Sequence, residues 1–336
     1  WALKQIWDKE LIYEGRKVLM YCPRCETPLA KAEVAMDNSY KTVTEEAVTV
    51  KFKVMPGQKI GNWTTDDNTY LLAWTTTPWT LPGNVALAIN SSLEYELIKQ
   101  GEEILILAKD SPQHLSEKSS DLAAPRRQTF LRDIAASSIR EFKGKDIVGL
   151  EYEPLYEIPA VKNSGKKAHY VVSSDFVNTE DGTGIVHIAP MHGEDDYNIG
   201  VKYDLPIAPL LDSGGHFNKE APEFIQGFYL KKGEKYIKED LEKRGLIFAK
   251  QSHTHSYPHC HRCETPLYYS ALSSWFINIQ KVKNRLIQLN EKINWQPEHL
   301  KHGRFLNIVK DAPDWNISRN RYWASPLPIW KCQKCK

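Results

Sequence analysis

All six cysteines of the chain stand in Cys-x-x-Cys pairs, at 22/25, 260/263 and 332/335. The first two pairs lie inside a near-copy, Cys22-Pro-Arg-Cys25-Glu-Thr-Pro-Leu29 against Cys260-His-Arg-Cys263-Glu-Thr-Pro-Leu267, identical at seven of eight positions although 238 residues apart. A Cys-x-x-Cys knuckle presents two thiolates on one tight turn, and a structural Zn²⁺ takes four ligands in a tetrahedron, so two knuckles complete a Cys₄ site. The repeat favours one zinc held by Cys22, Cys25, Cys260 and Cys263. Two rival readings are a redox pair and ligation by His253, His255, His259 or His261; a redox pair has no use for a distant copy of itself. If one ion clasps both knuckles, everything between them must leave that point and return to it. The predicted organisation is an insertion: an outgoing knuckle stem over 1–34, an inserted body over 35–252, a returning stem over 253–274, and a re-entry segment over 275–336. The pair Cys332/Cys335 is read as an incomplete half-site whose other two ligands are expected beyond Lys336, and the chain as an excised piece of something longer.

With 44 Lys and Arg against 42 Asp and Glu, the formal charge of +2 provides no overall field to gather nucleic acid, so any RNA must be held locally. No run approaches the roughly 18 apolar residues that a membrane helix needs, and no charged-then-apolar leader opens the chain. A folded, cytoplasmic monomer is expected.

Inside the insert the signals are mainly of strands. Val48–Val54 alternates, while Tyr70–Trp74, Val85–Ile89 and Ile104–Leu107 are short apolar runs, followed later by His169–Val172 and Gly184–Ile188. Helices are predicted over Glu194–Tyr203 and Lys235–Gly245, with Gly245 at the C-terminal cap, and loops over 111–121 and 163–167. Many short strands with peripheral helices predict an α+β, mainly β chain with a β-barrel-like body. From Trp275 onward apolar residues at 277, 279, 282, 286, 287 and 289 predict a helix.

Two segments carry candidate chemistry. Trp74-Thr75-Thr76-Thr77-Pro78-Trp79-Thr80, with Asn84 beyond it, gathers hydroxyls and indoles at a strand end. Threonine is a good strand former, so an ordinary edge strand is one reading; a lining of uncharged donors and acceptors that holds a polar ester or a water is the other. Gly182-Thr183-Gly184-Ile185-Val186-His187 runs on to Glu194-Asp195-Asp196. Acidic residues also favour the first turn of a helix for dipole reasons, and a single histidine is commonly a buried, satisfied imidazole. A carboxylate facing a cavity beside His187 would instead make a site for an ammonium group. The chain has no Gly-x-Ser-x-Gly elbow, no Gly-x-x-x-x-Gly-Lys-Ser/Thr loop and no His-Glu-x-x-His, which leaves positioned water as the agent of any hydrolysis.

Together these segments resemble isoleucyl-tRNA synthetases of class I. Trp74–Thr80 with Asn84 is similar to that family's threonine-rich editing peptide, with Thr77-Pro78 where the valyl and leucyl relatives usually carry Arg-Pro. Gly182–His187 through Asp196 is similar to its second editing motif. Asp314–Trp330 is similar to the stretch that re-enters a Rossmann-type synthetic core, with Ala324 in place of the usual Gly. The His-Ile-Gly-His and Lys-Met-Ser-Lys-Ser signatures that bind ATP in this family are absent from these residues, so no amino-acid activation is expected of them.

The resemblance implies a zinc-tethered editing (connective peptide 1) domain that hydrolyses valine misattached to the 3′ end of tRNA(Ile), and possible action on valyl-adenylate. Isoleucine exceeds valine by one methylene, worth roughly 1–3 kcal/mol in a hydrophobic pocket, a magnitude for which this family is itself the standard example; a second, smaller pocket supplies the remaining discrimination. It further implies that Asp196 binds the α-ammonium, that His187 limits side-chain size, that Thr75, Thr76, Thr77 and Asn84 hold the ester, the terminal adenosine and the attacking water, and that Trp74 and Trp79 shape the walls. The alternative function is a docking fragment for tRNA that is catalytic only within the intact synthetase.

Overall fold

The computed structural model describes residues 1–35, 39–111, 137–318, 325–332 and 334. Most of the predicted 111–121 loop, Ala324 and Cys335 lie outside the described residues. The chain divides into two compact units, Met20–Ser270 and a smaller one made of Trp1–Leu19 with Ala271–Lys336.

In the larger unit six strands form one mixed sheet, in the order Ser137–Lys143, Glu94–Gln100, Glu103–Ala108, Thr69–Thr75, Tyr40–Lys53, Ile247–Pro258. The strand Tyr40–Lys53 does two jobs along its length. Its first half is mostly exposed and pairs only with the returning strand, from Tyr40↔Pro258 to Glu46↔Ser252; from Ala47 it enters the core, where Val48, Val50 and Phe52 are fully buried and the Thr69–Thr75 strand joins its other edge. The chain therefore leaves the sheet and returns to it along one antiparallel ribbon. Burying an aliphatic side chain contributes about 1.5–3 kcal/mol, and the middle of the sheet collects Leu71, Leu72, Leu97, Leu105, Ile106 and Leu107, all fully buried.

A second sheet of three strands places Ala86–Ile89 between Tyr170–Ser173, parallel to it, and Val186–Ile188, antiparallel with His187 opposite Leu87. These strands coincide closely with the apolar runs of the sequence. The expectation of a barrel is corrected: among the described residues no pairing joins the edge strands Ser137–Lys143 and Ile247–Pro258, and the sheet stays open. The physical reason lies in the ribbon, because the outer strand runs on past the sheet as one arm of it, and the exposed Ser252, Thr254 and Ser256 along that arm blunt the edge instead of closing it.

The helices Glu194–Lys202 and Leu230–Lys243 stand close to where they are predicted, the second starting five residues earlier. Gly245 follows it with φ +69°, the left-handed conformation that ends a helix.

In the smaller unit the expected helix from Trp275 is corrected. Tyr268–Ile277 is a strand, whose Phe276 and Ile277 pair with Asn316 and Trp315, and the helix runs only over Lys283–Asn290. The aromatic and β-branched residues at 275–277 favour a strand, and pairing to a segment some 40 positions away overrides the helical spacing that follows. A second helix covers Leu306–Asp311. The pairing of Tyr268–Ile277 with Trp315–Asn316 is antiparallel, unlike the parallel pairs of a Rossmann-type core. No described helix is long and apolar enough to cross a membrane.

Candidate functional site

The two cysteine knuckles meet. The Sγ atoms of Cys22, Cys25, Cys260 and Cys263 all lie within 4.8 Å of one another, with Cys22 and Cys25 at 3.4 and 3.5 Å from Cys263. Ligands at the Zn–S distance of about 2.3 Å in a tetrahedron stand about 3.8 Å apart, so the four thiols have the separation that such an ion needs. The sequence repeat is also a repeat of backbone: Glu26 and Glu264, each following the second cysteine, take φ of +47° and +58°. Leu29, Val34 and Leu267 pack around the buried Cys22 and Cys260, while Cys263 is half-buried and Cys25 exposed. Burial pushes the Cys22 and Cys25 thiols up; at Cys263 burial is outweighed by hydrogen bonding to the hydroxyl and backbone of Thr265, which brings that thiol down to about 6. Four sulfurs gathered this closely, two of them buried, fit a cation that balances thiolate charge.

The second feature is a cavity of ≈ 380 Å³, lined by Trp74, Thr75, Thr76, Thr77 and Thr80 from one side, by Phe176, Val177, Asn178 and Asp181 from a loop, and by Val186, His187, Ala189, His192 and Asp196. It brings both sequence motifs to one place. Thr75 ends its strand, and its hydroxyl accepts the N–H of Thr77 at 3.1 Å, which turns the chain into the 3₁₀ segment Pro78–Gly83. Among the described residues the Thr76 hydroxyl has no partner, and the Trp74 indole N–H is buried without one.

Gly184 explains the second motif. Its φ is +70°, and a Cβ there would fall 2.3 Å from the Ala108 Cβ, so only glycine lets this turn pass under the sheet. The strand that follows carries His187, which is 7% exposed. Its Nε2 is 2.8 Å from Thr80 Oγ1, and its Nδ1 is 3.5 Å from Asn84 Nδ2. Burial, with a smaller contribution from His192, lowers its pKa to about 4, so the ring is neutral at physiological pH. His192 is likewise lowered by burial to about 4; its neutral ring donates from Nδ1 to the Tyr269 carbonyl at 3.1 Å.

Asp196 is the third residue of its helix, and Oδ1 accepts the Ala189 N–H at 2.8 Å. Burial raises its pKa to about 6, against the opposing pull of the Ala189 and Asp196 backbone N–H groups and with a small upward push from Asp195. A carboxylate that is reluctant to ionise alone, in a cavity rich in hydroxyls, has the chemistry to receive a compact cation. Asp195, by contrast, is exposed and lies outside the lining.

Of the residues predicted for the site, Trp74, Thr75, Thr76, Thr77, His187 and Asp196 line the cavity; Trp79 and Asn84 do not. Trp79 is 3% exposed and packs edge-on to His192 at 4.8 Å and to Tyr268 at 5.8 Å. Asn84 is 4% exposed and stands behind His187. Sequence reasoning passed over His192 and the loop residues Phe176, Val177, Asn178 and Asp181. His192 was visible inside the second motif, and Asp181 directly precedes Gly182; nothing in the sequence marks the other three.

The family model for tRNA synthetases class I (I, L, M and V) matches residues 1–336, and the chain belongs to that family. Within it the relatives that the chain resembles are isoleucine–tRNA ligases. It is 44% identical to that of Clostridium novyi (strain NT) over 99% of this chain and 29% of the relative, 45% identical to that of Clostridium acetobutylicum over the same shares, and 41% identical to that of Thermus thermophilus over 100% and 29%. The chain thus spans about 29% of the length of these relatives. Among solved structures it aligns with the P. knowlesi cytosolic leucyl-tRNA synthetase editing domain, at 14% identity, TM-score 0.41, and coverage of 62% of this chain and 96% of that one. The corresponding P. falciparum domain gives 14%, 0.40, 62% and 99%.

Proposed function

We propose that the unit Met20–Ser270 is an editing hydrolase acting on valine esterified to the 3′ end of tRNA(Ile), with valyl-adenylate as a second substrate of the same cavity. The observation that carries this reading is the position of Asp196: a carboxylate, held by the Ala189 N–H, in one cavity with Thr75, Thr76, Thr77 and His187. An aminoacyl ester offers an α-ammonium, an ester carbonyl and a short side chain, and each finds its counterpart there. Asp196 binds the ammonium through a charge-assisted hydrogen bond and so fixes the acyl group. The hydroxyls of Thr75–Thr77 hold the ester and the attacking water, and Trp74 shapes the wall. His187 is neutral and engaged at both ring nitrogens, which suits a wall better than a proton acceptor. Catalysis on this reading is positioning of water against a held ester, with the ribose hydroxyl of the substrate as the available proton relay. Asn84 acts from behind, through His187, and Trp79 supports the wall through His192.

A Zn²⁺ on Cys22, Cys25, Cys260 and Cys263 would pin the two ends of the insert and takes no part in hydrolysis. Residues 35–252 form the editing body, flanked by the stems 1–34 and 253–274, and 275–336 begin the return to the synthetic part of a longer, monomeric and cytoplasmic enzyme. Measuring release of valine from Val-tRNA(Ile) by the chain and by its Asp196→Ala variant tests the reading: loss of release with an intact fold supports it, and equal release contradicts it.

A further inference from the structure

A residue that belongs to neither motif closes the wall of the cavity from behind. Tyr152 is 2% exposed, its ring set edge-on to Phe52 at 5.5 Å and to His169 at 6.0 Å, and its hydroxyl donates to Asn84 Oδ1 at 2.8 Å. That bond decides which way the Asn84 amide faces. With Oδ1 taken, Nδ2 donates to the Ala86 carbonyl at 2.9 Å and points its other hydrogen at His187 Nδ1 at 3.5 Å. An amide N–H meets only a lone pair, so the ring proton of His187 sits on Nε2, from which it is donated to Thr80 Oγ1 at 2.8 Å. The Thr80 hydroxyl is then free to donate to the Thr77 carbonyl at 2.8 Å. One tautomer of His187 satisfies every member of this chain. The backbone of Asn84 is held separately, by His169, which takes a left-handed φ of +60° and places Nε2 3.2 Å from the Asn84 carbonyl.

We infer that Tyr152 is a positioning residue of this site: through Asn84 it fixes His187 as the Nε2–H tautomer and so holds the wall, from His187 to Thr77, that limits the acyl group admitted. Its consequence for selectivity rests on the editing function proposed above, whereas the tautomer does not. Without the hydroxyl, Asn84 Oδ1 is buried with no donor; the amide is then free to turn Oδ1 towards His187, giving up the Nδ2 bond to the Ala86 carbonyl, and this second orientation puts the ring proton on Nδ1, so Nε2–H is no longer the sole tautomer. Nε2 then accepts from Thr80, and the Thr80 hydroxyl leaves the Thr77 carbonyl.

Tyr152→Phe keeps the ring and both edge-on contacts. In protein labelled with ¹⁵N at the imidazoles, with the His187 signals identified by their loss in His187→Gln, the wild-type chain should show Nε2–H and Tyr152→Phe should gain Nδ1–H. The same variant should lose selectivity for Val-tRNA(Ile) over Ile-tRNA(Ile) by about tenfold, inside the roughly 10–200-fold that one methylene is worth. Asn84→Asp, which removes the donor to Nδ1 and leaves an acceptor for Tyr152, should reach the same tautomer from the other side, and stands in if Tyr152→Phe does not fold. Retention of Nε2–H in the variants overturns the inference, and so does a tautomer switch with unchanged selectivity. A wild-type chain that hydrolyses neither ester contradicts the editing reading instead, and the tautomer alone then upholds or overturns the positioning role.

Discussion

Gly193 and Asp196 are so close that a Cβ on Gly193 would stand 2.0 Å from Asp196 Oδ2. Gly193 is the N-terminal cap of the helix in an extended conformation that any residue adopts, so the glycine is required by the carboxylate and not by the backbone. Gly193→Ala should therefore leave the helix and the fold in place while swinging the Asp196 carboxylate out of position. The expected result is a melting temperature close to wild type with valyl-ester hydrolysis reduced at least tenfold, measured by deacylation beside a thermal melt.

Asp196→Ala should nearly abolish hydrolysis, because removing one partner of a shielded ion pair costs about 2–5 kcal/mol. If Asp196 were only a helix-terminal charge, its loss would cost about 0.3–1 kcal/mol of stability and no activity. Asp195→Ala, on the exposed neighbour, is the control and should retain the wild-type rate.

The raised pKa of Asp196 has a sign that two titrations can read. Its folded value of about 6 stands above the ordinary value of 3.8, so the folded state binds the proton more tightly, and this group costs stability progressively as pH rises from 4 to 6. Asp196→Asn, which keeps the acceptor for the Ala189 N–H, should melt at or above wild type at pH 8, with the advantage disappearing below pH 4. In the wild-type chain kcat/KM for the valyl ester should fall as pH drops through 6, where the free carboxylate takes up its proton.

Much of this was legible in the sequence. The Cys22–Leu29 and Cys260–Leu267 repeat announced a clasp because identical ligand spacing yields identical knuckles, down to the left-handed Glu26 and Glu264. The threonine peptide and the segment from Gly182 to Asp196 were legible because strand-end hydroxyls and a glycine-bounded turn have local signatures. The open sheet was not, since closure depends on whether two edge strands find each other, and local patterns look the same either way. Tyr152 was invisible for the same reason: its role depends on a hydroxyl meeting Asn84, 68 positions away, across packed strands. Asn84 and Trp79 lie in the right peptide but face inward, because the turn after Thr77 tightens into a 3₁₀ segment that buries both ends.

The clasp predicts metal. One Zn²⁺ per chain should be found by elemental analysis, and Cys260→Ser should lower both zinc content and melting temperature, since binding energy at such a site is folding energy. Cys332→Ser should change neither. No zinc in the wild-type chain, with Cys22–Cys25 or Cys260–Cys263 oxidised to disulfides, would contradict the assignment.

The most direct test of the central claim is the rate at which the chain hydrolyses Val-tRNA(Ile) compared with Ile-tRNA(Ile). A cavity walled by His187 and anchored by Asp196 predicts rapid loss of the valyl ester and much slower loss of the isoleucyl ester, with no ATP-dependent charging of either amino acid. Equal rates on the two esters would contradict it.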